Sequence, residues 1–146
     1  MNSFRLHSIS LAYGIVFLVL LNSCSTTVSK ESLHHLNGYW QITKVEAGDQ
    51  TREYPPALQA DYFYVNESFN GYRKKLSPQI NGKFLKNNSQ EDFKLNFVED
   101  LTYIAYSNNL SNWQELIIAV SEEELILQNE EGIRYHYIRF KPIEIE

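Results

Sequence analysis

A single cysteine, Cys24, in 146 residues excludes an internal disulfide framework and any zinc or iron-sulfur site built from several thiolates. Basic side chains are scarce as well, 13 against 18 acidic ones for a formal net charge of -5. A protein that replaces counterions on phosphates needs a basic stripe, so nucleic acid is not an expected partner. Apolar runs are short, none approaching the roughly 20 residues that a helix needs to cross a bilayer. Also missing are G-x-S-x-G, H-E-x-x-H, a phosphate-cradling glycine loop and a calcium loop. No enzymatic activity, metal or cofactor is expected on these grounds.

What is present begins with a targeting segment. Arg5 is the one charged side chain before Lys30, and Leu11 to Leu21 reads LAYGIVFLVLL, an apolar stretch of the length that secretory signals use. Directly after it, Leu21-Asn22-Ser23-Cys24 resembles the lipobox of bacterial lipoproteins, with Leu three positions before the cysteine and a small residue just before it. The resemblance implies cleavage after residue 23, a diacylglycerol thioether on Cys24 and acylation of the new amine. Several acyl chains are what stable anchoring requires, since one chain holds a protein only marginally. Ser25 stands where an inner-membrane retention signal would place Asp, and no acidic run follows the cysteine. The resemblance therefore implies an envelope lipoprotein, held in the outer membrane and facing the periplasm. Residues 24–35 are expected to form the lipidated cysteine and a flexible tether, and residues 36–146 the domain.

The mature chain would keep 123 of the 146 residues, lose only Arg5 among the charges, and carry -6. A body of that size buries about two thirds of its unfolded surface, enough for one core without staples. Its pattern is that of short strands. GYWQITKV (38–45), DYFYV (61–65), GYRKKL (71–76), DFKLNFV (92–98), LTYIAYS (101–107) and the runs 113–120, 125–128 and 133–141 alternate with a period of two. Residues 46–60 read as a turn and a loop or lid around Pro55-Pro56, because proline donates no ladder hydrogen bond. Asn81-Gly82 carries a type I′ hairpin signal, with a further strand expected from Lys83. The expected fold is all-β, an antiparallel up-and-down meander closing as an eight-stranded barrel or packing as a sandwich.

Gly38-Tyr39-Trp40 resembles the G-x-W motif of the lipocalin superfamily, and Arg139 in the last strand matches that family's late arginine. The stretch from Trp113 to Phe140 is similar to the end of lipocalin-like domains in lipoproteins of the Bacteroidota. The resemblance implies a lipocalin-like β-barrel in which Gly38, Trp40 and Arg139 close one end, the guanidinium lying over the indole. The T-D-Y motif and the disulfide of better-studied lipocalins are absent.

Aromatic side chains are the main lead to a function. The mature chain keeps nine of the ten tyrosines, six of the eight phenylalanines and both tryptophans. Tyrosine joins a large apolar face to a polar tip and suits a half-wet cavity. Alternation puts Tyr135, Tyr137 and Arg139 on one face, Phe93, Leu95 and Phe97 on another strand's face, and Leu101 with Tyr103 on a third. These residues are the expected lining for a small hydrophobic or amphipathic ligand in a monomeric barrel. The same tyrosines also fit a solid barrel that works through protein contacts, an accessory or inhibitor lipoprotein using loops such as 52–60. Arg73-Lys74-Lys75, the one basic cluster, reads as a solvated hairpin face. His34-His35 reads as a solvated pair, His136 as a partly buried structural histidine, and the glutamates at 122–124 and 130–131 as solubilising turn residues.

Overall fold

The computed structural model describes residues 27–55, 60–78 and 84–140. The lipobox with Cys24, the Asn81-Gly82 turn and residues 56–59 of the expected loop lie outside them. A 3-10 helix, Lys30–Leu36, precedes nine strands: β1 Gly38–Ala47, β2 Gln50–Glu53, β3 Ala60–Val65, β4 Asn70–Pro78, β5 Phe84–Val98, β6 Leu101–Ser107, β7 Asn112–Val120, β8 Glu124–Asn129 and β9 Arg134–Arg139. Consecutive strands from β3 to β9 pair antiparallel, β1 joins β3, and β1 also pairs with β9. That last pairing closes an eight-stranded barrel, with β2 as an extra strand folded back on β1. Among the described residues no helix is long and apolar enough to cross a membrane.

Register decides which side chains enter the barrel. Trp40 lies opposite Arg139 and Asp61, Ile42 opposite Tyr137, and Phe63 opposite Arg73. On the far wall Phe93 faces Tyr106, Leu95 faces Ile104, and Ile104 faces Glu115. The core so formed includes Trp40, Phe63, Ile104, Leu125 and Leu127, all with no exposed surface. Each such side chain contributes about 1.5–3 kcal/mol by leaving water.

The helix plugs one end. Ser29 caps it by accepting from the Ser32 amide, and Leu33 and Leu36 point into the core cluster. Residues 30–35, expected in the tether, therefore pack with Leu36 as part of the body, because two leucines three residues apart fall on one face of a helix with three residues per turn. At the same end Phe69, at φ 60, meets Phe97 edge-on at 5.0 Å. Lys30 Nζ sits 4.6 Å above the Phe97 ring.

Three strand expectations need correction. Residues 50–53, expected in a loop, form β2, made possible by Gly48 at φ 58 in the turn from β1. The strand expected from Lys83 and the strand 92–98 are one 15-residue strand, β5, which a register shift between Lys74 and Leu76 lets follow β4. In β6 the inward residues are Thr102, Ile104 and Tyr106, whereas Leu101 is 45% exposed and Tyr103 looks outward. LTYIAYS alternates acceptably in either phase. The tight turn at Glu99, φ 53, pairs Val98 with Leu101 and fixes the other one.

Candidate functional site

The closed end is built on Arg139. Its guanidinium lies 3.7 Å from the Trp40 ring centre. Nη1 donates to the Asn37 carbonyl at 2.9 Å, Nη2 to the His35 carbonyl at 2.7 Å, and Nε to the Glu122 carbonyl at 2.8 Å. Trp40 Nε1 donates to the Leu36 carbonyl at 2.8 Å. Gly38 has φ 123, and a Cβ there would sit 2.7 Å from Arg139 Nη1, so only glycine fits under the guanidinium. Strand β9, strand β1 and the helix are thus tied by one side chain that answers carbonyls a 3-10 helix leaves open.

Toward the other end the barrel keeps a partly open cavity of about 260 Å³, lined by Trp40, Ile42, Ala60, Asp61, Arg73, Lys75, Glu115, Tyr135 and Tyr137. Of the expected lining, Tyr135 and Tyr137 are here. Phe93 and Leu95 lie in the packed core beneath, and Phe97 belongs to the plugged end, 37% exposed. Tyr103 is outside the barrel altogether, in a surface groove with Gln114, Leu116 and Gln128.

The cavity is more charged than the aromatic pattern implied. Arg73, expected on a solvated basic face, is buried, because residues 73, 74 and 75 point alternately in and out of a strand. Arg73 donates to Glu91 through Nε at 2.8 Å and Nη2 at 2.7 Å, and to Glu115 through Nη1 at 3.4 Å. Its guanidinium also lies 4.9 Å from the Tyr106 ring centre. Burial opposes the Arg73 charge, yet Tyr106, Glu115 and other neighbours hold its proton more tightly than usual. Tyr106 donates to Glu115 Oε2 at 2.8 Å, and burial pushes the Glu115 carboxyl up despite Arg73. Asp61 accepts from the Tyr137 hydroxyl at 3.3 Å and is pushed up by burial, with Arg73 and Lys75 pulling the other way.

These charged residues escaped the sequence reading, although a signal existed. Asp61 shares phase with Phe63 and Val65, and Glu115 shares it with Trp113 and Ile117. An ionisable group on the apolar phase of a strand enters the core or a cavity. Outside the barrel, Lys44 and His136 both reach Glu46, at 2.7 Å and 3.0 Å, and hold its carboxyl down at about 2. His34 bonds the Glu31 carbonyl and lies against His35, away from the cavity. Among the described residues no group of three or more acidic, His or Cys side chains is arranged to hold a metal.

Comparison with known proteins agrees on the architecture. The family model of the lipocalin-like domain matches residues 36–127. Among solved structures, a lipocalin-like protein from Bacteroides uniformis is 12% identical, covering 73% of this chain and 99% of that one with a TM-score of 0.45. An uncharacterized protein from Bacteroides eggerthii is 8% identical over 72% and 99%, with a TM-score of 0.46. No curated protein matches. With the family model spanning more than half of its length, the chain belongs to the lipocalin-like domain family.

Proposed function

We propose that this chain is a lipid-anchored envelope lipoprotein whose barrel binds one small amphipathic ligand. The observation that carries the binding is the cavity itself. A barrel plugged at one end and partly open at the other leaves about 260 Å³ between an apolar side, Trp40, Ile42 and Ala60, and a polar one, Asp61, Glu115 and the tyrosine hydroxyls. Specific small-molecule sites combine an apolar wall with a few fixed polar groups in this way, and the volume suits a ligand just below drug size. The lipobox at Leu21 to Cys24 supports the anchor.

Trp40 is a reporter inside the cavity, and Trp113 is the other tryptophan of the chain. In a Trp113→Phe variant, ligand entry is expected to change the fluorescence of Trp40, and native mass spectrometry should show a bound small molecule. Bare protein mass together with an unresponsive Trp40 across a small-molecule library would refute the binding reading. For the anchor, Cys24→Ala is expected to leave the membrane fraction, and unchanged partition would refute lipidation.

A second reading, a protein-interaction role, is favoured by one observation. Tyr39, Tyr62, Tyr72 and Tyr64 form a ladder on the outer wall, with ring centres 4.8, 6.1 and 5.5 Å apart in that order. Tyrosine-rich surface is a common feature of interfaces.

A further inference from the structure

The charges around the cavity identify the kind of molecule it suits. Among the described residues the carboxylates of Asp61, Glu91 and Glu115 lie on the barrel's inner phase, and one buried guanidinium, Arg73, pairs with the two glutamates. Arg73 directs three of its five N–H donors at carboxylates, two to Glu91 and one to Glu115, with aromatic rings of Phe63 and Tyr106 around its plane. An incoming carboxylate or phosphate head would share that guanidinium with two glutamates already on it and would face their repulsion. Asp61 is different. Among the described residues its only hydrogen bond is the 3.3 Å contact from the Tyr137 hydroxyl, and no cation lies within ion-pair distance. Lys75, its cross-strand neighbour, is exposed at the mouth and supplies the second positive charge of the lining. Among the described residues the cavity lining balances two acids, Asp61 and Glu115, against Arg73 and Lys75, so the unanswered negative charge is local to Asp61.

We infer that the preferred occupant is a small amphipathic cation, an amine with an apolar body, whose ammonium pairs with Asp61. This rests on the reading of the cavity as a binding site. An ammonium there completes the hydrogen bonding of a half-buried carboxylate, which otherwise bears the cost of lost hydration. The rings of Tyr135 and Tyr137 in the same lining add attraction for a cation, and the Ile42 and Ala60 side accepts the apolar body. Lys75 competes with the ligand for Asp61 across the strand pair.

The test compares three probe series of matched length, straight-chain amines, alcohols and carboxylates of about four to ten carbons, titrated calorimetrically into the full-length protein in detergent. The best amine is expected to bind at least about tenfold more tightly than the alcohol or carboxylate of equal length. Asp61→Asn should remove that preference, bringing the amine to the affinity of the alcohol of equal length. Lys75→Met, a change at the exposed mouth, should tighten amine binding severalfold and so tests the inference even if Asp61→Asn misfolds. Alcohols or carboxylates binding as tightly as amines would overturn the inference and leave the cavity reading standing. An amine preference that survives in Asp61→Asn, or that Lys75→Met does not raise, would overturn it in the same way. Failure of all three series to bind would overturn both.

Discussion

Replacing Arg139 by methionine keeps most of the apolar stem and removes the guanidinium, which makes the cost of the closed end calculable. Three carbonyls lose a charged donor: His35, Asn37 and Glu122. Glu122 is exposed, so water replaces the lost bond there at little cost. The His35 and Asn37 carbonyls lie at partly buried positions beneath the guanidinium, and hydrogen bonds from a charged donor contribute about 1.5 kcal/mol or more each. Loss of the cation from the Trp40 face, 3.7 Å away, adds about 0.5–1 kcal/mol. The expected total is about 3–4 kcal/mol. Urea unfolding with linear extrapolation measures it directly. Arg139→Lys should recover less than half, because one ammonium cannot reach three diverging carbonyls and stack at once. A loss below about 1 kcal/mol for Arg139→Met, or full recovery by lysine, would refute the reasoning and assign the closed end to the packing of Leu33 and Leu36 alone.

Removing Arg73 by methionine leaves Glu115 and Glu91 without their cation inside the barrel. A loss of about 3–5 kcal/mol is expected at neutral pH, narrowing in mild acid as Glu115, its carboxyl pushed up by burial, takes up a proton, which urea midpoints at the two pH values would show. Asp61 should behave in the opposite sense. Its carboxyl is raised above its usual 3.8, so over that window the folded chain binds more protons than the unfolded one and stability falls as pH rises. Asp61→Asn removes this slope and is expected to be more stable than the parent at neutral pH, measured by the same unfolding curves. Gly71→Ala should fail to fold at all. Its Cβ would stand 2.1 Å from the Tyr64 carbonyl and 2.7 Å from the Phe93 ring, a clash that circular dichroism of the purified variant would register.

The fold was readable wherever one phase of a strand was apolar and the other polar. DFKLNFV permits one assignment, and Phe93 and Leu95 are buried in the core, while Phe97 on the same phase is exposed at the plugged end. LTYIAYS permits two, because threonine, isoleucine and tyrosine make as good an inner face as leucine, tyrosine and alanine. Only the turn at Glu99 and the pairing with β5 choose between them. β2 was unreadable for a related reason. QTRE is exposed along its whole length and has no apolar phase to display. At the cavity, Tyr135 and Tyr137 could be found from alternation, whereas Arg73 could not be understood alone. Its burial depends on Glu91 and Glu115, which reach it from two different strands, 18 and 42 residues further along the chain. Sequence spacing carries no trace of a partnership formed across a barrel.

The plugged end has a further consequence for orientation. The helix that fills it starts at Lys30, and Val28 already packs against the core. From Cys24 to Val28 is four residues, a span of at most about 14 Å when fully extended. A lipid on Cys24 would therefore hold the plugged base close to the bilayer surface. The cavity, formed toward the opposite rim by Asp61, Lys75 and Tyr135, would then open away from the lipid. Anchored in that way, the molecule would stand like a cup on its base and would exchange its contents with the aqueous compartment and not with the membrane carrying it.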